Sequence, residues 1–413
     1  MRTMRYLQTL GRALYSRSKG PVQDVTPTPA PLRDPNVIWS PLPSPPEKTQ
    51  PPPFTGVQAI RELLVKREEP EPPPETKGHI GNTFDQLFLT MSRGNYKPNN
   101  KITVMGAGDV GMATVFSLLA KGVTNDISII DFGENKLKGE LMDLQCGSKF
   151  LENAKLRASK DIAVSSDSKI CVLTPFYKSE SGENISDCAQ CNAEVLKAVI
   201  PQLVKYSPEA IILVAIDPVD VMSYLVWRVS GLPKGRVFGS GTNLYSATFR
   251  YLLADRLGLA PSSCHGYIIG ENGASSVAVW SGVTVGGVHL KDLNPDIGTD
   301  ADTEHWQGIH RLVLQSDQEV RELKGSNSWA TALSITDICS SILNDANCIR
   351  PLSTYIKGEH KIDEEIFMSL PCVVGSSGIT DIIRQPLSST EIQLLRKSAE
   401  AIIENQNTIK ITQ

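Results

Sequence analysis

The stretch "KITVMGAGDVGMATVFSLLAKGVTNDISIID", residues 101–131, decides how this chain folds. Its apolar start, Ile102 to Met105, has the length and composition of a buried strand and runs directly into three closely spaced glycines. Each glycine meets a separate need: Gly106 allows a tight turn, Gly108 lets the backbone approach a pyrophosphate, and Gly111 lets the following helix pack closely on the strand. The glycines therefore predict the turn of a dinucleotide-binding Rossmann fold.

The sequence beyond the glycines supplies the other parts of such a site. A helical pattern begins at Asp109 and Val110, and its first turn would offer free N–H groups and the positive end of the helix dipole to phosphates. A second apolar run, Ile127 to Ile130, ends on Asp131, which is placed to accept hydrogen bonds from ribose hydroxyls and to disfavour a 2′-phosphate. The predicted cofactor is therefore NAD rather than NADP. We expect it to be bound by Gly106, Gly108, Asp109, Val110, Gly111 and Asp131.

The rest of the chain alternates strand-like apolar runs with helical patterns. The segments "KICVLTPF" at residues 169–176 and "IILVAIDPVD" at 211–220 are strand-like and separated by helical stretches, which is the order of a doubly wound parallel sheet. We therefore expect an α/β Rossmann domain over residues 100–241. Shorter mixed strands and a long helical pattern follow, and they predict an α+β second domain over residues 242–413.

The first twenty residues, "MRTMRYLQTLGRALYSRSKG", carry five basic side chains, and no acidic residue precedes Asp24. A helix over residues 1–20 would place Met4, Leu7 and Leu10 on one face with arginines roughly opposite. Cationic, amphipathic and acid-free segments of this kind are typical of mitochondrial presequences. The pattern predicts import into the mitochondrial matrix; the alternative is a disordered basic tail.

Residues 21–79 differ sharply in composition. Sixteen of the chain's 27 prolines lie between Pro21 and Pro74, where they remove backbone donors and forbid helical dihedral angles. This density predicts a disordered extension, interrupted by a short helix near residues 55–69, where apolar residues recur at helical spacing. That helix would dock loosely on the body of the protein or bind a partner.

The bulk composition excludes several classes of function. A formal net charge of −4 gives no field that would attract nucleic acid. The apolar runs fall short of the roughly 18 residues of a membrane span, so we expect no stable membrane insertion. The eight cysteines lack framework spacing and suit a reducing compartment. Cys188 and Cys191 form one closely spaced pair, but no second pair or nearby histidine completes a metal site, so we expect no bound metal.

From about residue 80 to 413 the chain resembles the L-lactate dehydrogenase family and, more distantly, the malate dehydrogenases. The resemblance rests on long colinear motifs, including "NNKITVMGAGDVGMA", "KLKGELMDLQCGS", "GYIIGENGASSVAVWSGV" and "LKGSNSWATALSITDI". It implies NAD as the cofactor and a Rossmann domain followed by an α+β domain. It also implies a homotetramer or at least a homodimer, with residues 80–99 as the oligomerising N-terminal arm.

The resemblance implies hydride transfer between a nicotinamide and C2 of a 2-hydroxy acid, a reaction with definite chemical needs. A histidine moves the proton near neutral pH, a carboxylate holds its tautomer, and two arginines bind and polarise the substrate. In the family's motifs the histidine position holds Asn272 here, and the carboxylate position holds Tyr245. Thr248 replaces the arginine that clamps the substrate, and Ile185 replaces the arginine that polarises its carbonyl. The resemblance therefore implies a divergent, catalytically impaired member.

Further departures concern the nicotinamide side of the cofactor. The family's turn of small residues reads Thr174-Pro175-Phe176 here. Pro175 removes a backbone donor, and we expect Phe176 to add bulk near the nicotinamide. Asp217 stands where the family has an asparagine and would bring a negative charge to the carboxamide. We expect Thr174 and Asp217 to line the cofactor, with the adenosine half kept and the nicotinamide half altered.

Three functions remain open at this stage. The first is a pseudoenzyme that binds NAD on a lactate dehydrogenase-like scaffold and has a structural or regulatory role. The second is an NAD-dependent oxidoreductase acting on a 2-hydroxy acid or a related carbonyl compound, with Tyr245 or a water moving the proton. The third is a subunit that assembles with an active paralogue and modulates it.

Overall fold

The structure, a computed structural model, describes residues 99–177 and 185–409, with the side chains of residues 185–187 left aside. Several predictions fall outside these residues and remain predictions. They are the presequence over 1–20, the proline-rich extension over 21–79 with its short helix, and nearly all of the arm over 80–99.

A single nine-stranded sheet organises the described chain. Six parallel strands lie in the order β3-β2-β1-β4-β5-β6, and three antiparallel strands continue the sheet beyond β6 as β12-β13-β14. The predicted doubly wound parallel sheet is confirmed. The strands are β1 Ile102–Met105, β2 Asp126–Ile130, β3 Lys155–Ser159, β4 Ile170–Leu173, β5 Ile211–Val214, β6 Val237–Gly239, β12 Cys348–Tyr355, β13 Phe367–Gly375 and β14 Gly378–Ile382.

Helices cover both faces of the parallel part, which is why its central strands are uniformly apolar and buried. One core cluster joins β1 and α1 to α8, so residues from both halves of the sequence share one interior. The helices are α1 Asp109–Ala120, α2 Glu134–Cys146, α3 Ile185–Tyr206, α4 Val219–Ser230, α5 Asn243–Leu257, α6 Leu290–Leu293, α7 Gly308–Lys324, α8 Ser328–Leu343 and α9 Ser389–Thr408. Among the described helices, none combines the length and apolarity needed to cross a bilayer.

Two small sheets complete the second half and confirm its α+β character. One is a three-stranded sheet, and the other is a two-stranded hairpin whose strands flank residues 270–276. This hairpin matters most for function, because it fixes both ends of the loop that contains Asn272. The remaining strands are β7 Cys264–His265, β8 Ile268–Ile269, β9 Val277–Ala278, β10 Thr284–Val285 and β11 Val288–His289.

Candidate functional site

The glycine turn between β1 and α1 leaves no room for side chains at two of its three glycines. A Cβ atom at Gly106 would lie 2.6 Å from the Oγ1 atom of Thr174, and one at Gly111 would overlap the carbonyl oxygen of Gly106. Thr174 closes this contact, since its hydroxyl donates to the carbonyl oxygens of Met105 and Gly106 at 2.9 and 3.0 Å. At Gly108 the nearest atom to an added Cβ is 3.7 Å away, so the space above this residue is open to a ligand.

Asp131 joins the second strand to this turn. Its carboxylate accepts hydrogen bonds from the backbone N–H groups of Ala107 at 2.6 Å and Gly133 at 2.8 Å. These bonds hold the carboxylate beside the glycine turn and leave acceptor capacity on both oxygens. Gly108 is the N-cap of α1 and brings no side chain to the helix start, which is the arrangement that lets a helix N-terminus bind phosphate oxygens. The open glycine, the helix start and the carboxylate together fit the adenosine diphosphate half of a dinucleotide.

Phe176 packs against an aromatic residue next to Asp131. Its ring centroid is 5.8 Å from that of Phe132, the residue that follows Asp131. The expected position of this ring beside the nicotinamide stays a prediction. The turn is held in place by Asn192, whose side-chain oxygen accepts from the N–H groups of Phe176 and Tyr177 at 3.1 and 3.2 Å.

The loop between β8 and β9 is held by groups outside it. Gly270 exchanges two backbone hydrogen bonds of 2.9 Å with Ser369 on β13. The backbone N–H of the next residue, Glu271, donates to the hydroxyl of Ser398 on α9 at 2.7 Å. The Glu271 carboxylate accepts from the hydroxyl of Ser275 at 2.5 Å and from the amide of Asn405 at 3.1 Å. The loop shape thus depends on its neighbours and on Glu271, while Asn272 presents an amide at its centre.

Asp220, in the first turn of α4, holds the same loop through a hydrogen bond to its backbone, and sequence reasoning missed this residue. Its side chain is only 3% exposed. The carboxylate accepts from the backbone N–H of Asn272 at 2.8 Å and from the hydroxyl of Ser353 at 2.5 Å. Burial raises the pKa of Asp220 to about 7 despite these two hydrogen bonds. The available signal was an acidic residue in the mainly apolar first turn of α4.

Tyr245 and Thr248 lie one turn apart on α5. The Thr248 hydroxyl donates to the carbonyl oxygen of Leu244 at 3.1 Å, so it is bonded to its own helix. Burial raises the pKa of the Tyr245 phenol, and the nearby carboxylates of Asp317 and Asp217 raise it further. The phenol therefore stays protonated at neutral pH and gives up its proton less readily than in water.

A charged cluster borders this region, and sequence reasoning missed two of its members. The guanidinium of Arg321 on α7 forms ion pairs with Asp217 at 2.9 Å and with Asp317 at 3.1 Å. The second oxygen of Asp317 accepts from the amide of Asn327 at 2.5 Å. Only the spacing of Asp317 and Arg321, four residues apart on one helix, could have indicated part of this cluster. We call Asp217, Asp317 and Arg321 the cleft ion cluster.

The two halves of the chain also match known sequence families. Residues 100–239 match the lactate/malate dehydrogenase NAD binding domain. Residues 242–412 match the lactate/malate dehydrogenase alpha/beta C-terminal domain. The chain belongs to the lactate/malate dehydrogenase family.

Individual relatives of this family cover most of the chain. The L-lactate dehydrogenase B chains of Bos taurus and Homo sapiens are each 50% identical to it over 313 residues, which make up 76% of this chain and 94% of those proteins. The B chain of Gallus gallus is 48% identical over 326 residues, or 79% of this chain and 98% of that protein. NAD is the cofactor of this lactate/malate dehydrogenase family member, as its sequence predicted.

The structure brings predicted site residues of this family member together in two groups: the glycine turn with Thr174 and Asp131, and Tyr245 with Asp217. The charges of Asp217 and Glu271 both act on the Tyr245 phenol, so the carboxyl edge of the sheet, α5 and the loop of Asn272 are neighbours. Ile185 begins α3, but its side chain lies outside the described residues. The assignment of these positions to catalytic roles rests on the sequence resemblance and stays a prediction.

Proposed function

We propose that this chain is an NAD-binding, lactate dehydrogenase-like protein whose hydride-transfer centre is impaired, and that it serves a structural or regulatory role. One observation carries the proposal: the loop of residues 270–276 keeps a firm framework of hydrogen bonds while its central residue, Asn272, is an amide. An amide cannot exchange a proton near pH 7, whereas an imidazole can.

The neighbouring positions support the same conclusion. Removing a single general acid or base lowers the rate of an enzyme by about 10²- to 10⁴-fold. Here Thr248, bonded to its own helix, offers no charge to a substrate carboxylate. The one arginine of the cleft ion cluster, Arg321, already pairs with two carboxylates. Among the residues that the structure describes, neither of these two positions therefore supplies the charge-assisted pair that binds and orients an anionic substrate.

An oxidoreductase that uses Tyr245 as its acid receives no support from the phenol's surroundings. Burial and nearby carboxylates raise its pKa, which weakens it as a proton donor. Regulation or assembly through the bound cofactor is the role that the retained adenosine site and the altered centre support best.

Turnover by the full chain tests the proposal directly. We expect pyruvate reduction with NADH at least about 10⁴-fold slower than by an L-lactate dehydrogenase B chain, because the proton-transfer group is missing. A restored variant that combines Asn272→His, Tyr245→Asp, Thr248→Arg and Ile185→Arg should gain measurable activity. A rate for the unaltered chain within about tenfold of the B chain would overturn the proposal.

We also propose that residues 1–20 direct the protein into the mitochondrial matrix and that the protein assembles as a homo-oligomer. The basic, acid-free composition of this segment supports import, and the family supports assembly. A fluorescent fusion of residues 1–30 should reach mitochondria, and a fusion that stays in the cytosol would contradict this.

Light scattering and co-purification should reveal a complex of identical chains; a mixed complex with an active paralogue would instead favour a modulatory subunit.

A further inference from the structure

The cleft ion cluster occupies a particular position along the sheet. β5 ends at Val214, and Asp217 follows three residues later, at the entry to α4. Arg321 reaches this point from α7 in the second half of the chain and pairs with it at 2.9 Å. The cluster therefore lies at the carboxyl end of β5, where an open parallel sheet binds its ligands.

The strand order tells which part of a dinucleotide meets this cluster. The order β3-β2-β1-β4-β5-β6 consists of two mononucleotide-binding halves that meet between β1 and β4. Asp131, at the end of β2, marks the half that binds adenosine. The other half, β4 to β6, takes the nicotinamide nucleotide, and Asp217 stands at its edge. The charge of the cleft ion cluster is therefore presented to the nicotinamide end.

That charge is negative. Asp217 and Asp317 contribute two carboxylates and Arg321 one guanidinium, which gives the cleft ion cluster a formal charge of −1. The Tyr245 phenol beside it also experiences the negative charge of Glu271, so that among the described residues acting on it three are carboxylates and one is a guanidinium. Because Asp217 is about half exposed, at 51%, solvent weakens this field without removing it.

We propose that the cleft ion cluster makes the nicotinamide site select the oxidised cofactor, NAD⁺, over the reduced cofactor, NADH. The two cofactors differ at the ring, which carries a positive charge when oxidised and none when reduced. A fixed negative cluster next to the ring stabilises only the charged form. This inference rests on the proposed binding of NAD and adds that the protein responds to the redox state of the cofactor pool.

Calorimetric titration of the full chain with NAD⁺, NADH and ADP-ribose tests the selection. We expect NAD⁺ to bind about threefold to tenfold more tightly than NADH, the range for a partly screened charge. Raising the ionic strength should reduce this ratio, because salt screens an exposed charge. Equal affinity, or tighter binding of NADH, would overturn the proposal.

Two variants should move the ratio in opposite directions. Asp217→Asn removes one negative charge and should bring the two affinities to within about twofold, whereas Arg321→Gln leaves both carboxylates uncompensated and should widen the preference for NAD⁺. Neither should change the affinity for ADP-ribose, which has no nicotinamide. The matched control is Asp126→Asn, because Asp126 also pairs with an arginine, Arg157, but lies at the amino end of β2.

The same titrations separate the two proposals. If ADP-ribose binds but NAD⁺ and NADH bind equally, charge selection is wrong and the adenosine site stands. If ADP-ribose does not bind, both the proposed cofactor binding and the selection fail. A ratio that Asp217→Asn leaves unchanged would show that the cluster does not cause the preference.

Discussion

Asp220 is a carboxylate placed where water does not reach, and its environment favours the protonated form. The pKa of Asp220 is raised from 3.8 to about 7 by burial. Because the pKa of Asp220 is higher in the folded state, the contribution of this residue to the free energy of unfolding is complete below about pH 4. That contribution is lost as the pH rises from there through about 7.

The variant Asp220→Asn should therefore remove one part of the pH dependence of stability. Between pH 5 and pH 8 the free energy of unfolding of the unaltered protein should fall by roughly 2 to 3 kcal/mol more than that of the variant. Urea unfolding of both proteins at the two pH values measures this difference. Parallel pH profiles would mean that Asp220 is ionised throughout.

Alanine substitutions at two glycines of the turn should affect different properties, one mainly stability and the other mainly ligand binding. Gly111→Ala should destabilise the protein by several kcal/mol, because its Cβ would overlap the backbone of Gly106. Gly108→Ala has room for its Cβ and should change the free energy of unfolding by about 1 kcal/mol or less. It should nonetheless weaken ADP-ribose binding, because the methyl group fills the approach to the phosphates. Thermal unfolding and calorimetry on both variants check this; unaltered ADP-ribose affinity in Gly108→Ala would contradict it.

At the scale of elements, the residues that cap the N-terminus of α9 also bind the chain segment that follows β9. Ser388 and Glu391 form a reciprocal cap at the N-terminus of α9. Glu391 is buried and also accepts from the backbone N–H and the hydroxyl of Ser281 at 2.9 and 2.6 Å. One carboxylate thus ties the helix start to the segment after β9.

Replacing the two capping residues should lower the free energy of unfolding by different amounts. Ser388→Ala removes one cap and should lower the free energy of unfolding by about 1 kcal/mol. Glu391→Ala should lower it by roughly 2 to 4 kcal/mol, because it also leaves the partly buried N–H and hydroxyl of Ser281 without their acceptor. Chemical denaturation measures both; equal losses would show that the contact with Ser281 adds nothing.

Local pattern explains which elements could be predicted. The runs that became β1, β4 and β5 are short and wholly apolar, and the glycine turn has steric needs that its own sequence reveals. The pairing of β12 with β6 joins Ser353 to Gly239, far apart in the chain, and no local period signals it. The contact of Arg321 with Asp217 could not be predicted for the same reason, because the sequence gives the charge of each residue but not its partner in space. The contact of Phe176 with Phe132 was also hidden, because a residue type gives the size of a side chain but not its direction.

At the scale of the whole molecule, the two family-matched segments share one sheet and one core. β6 of the first segment pairs with β12 of the second. Ile335 and Ile338 of α8 pack in the same cluster as Val115 and Leu118 of α1. The boundary between the matched segments is therefore not a boundary between independent interiors.

A fragment of residues 99–241 should consequently fail to fold alone. It would expose the apolar face of α1 and the edge of β6, which favours aggregation. The full chain should instead unfold residues of both halves in a single transition. Tryptophan fluorescence and circular dichroism should give coincident unfolding curves for the full chain; a soluble, cooperative fragment would contradict this.

The framework around residues 270–276 also bears on how the protein can change over time. Its hydrogen bonds to Ser369, Ser398 and Asp220 are made by the backbone of the loop. The identity of the side chain at position 272 therefore has little influence on the shape of the loop. Selection for stability alone would leave that position almost free to vary, so an ancestor could lose its reaction there while its descendants kept the fold.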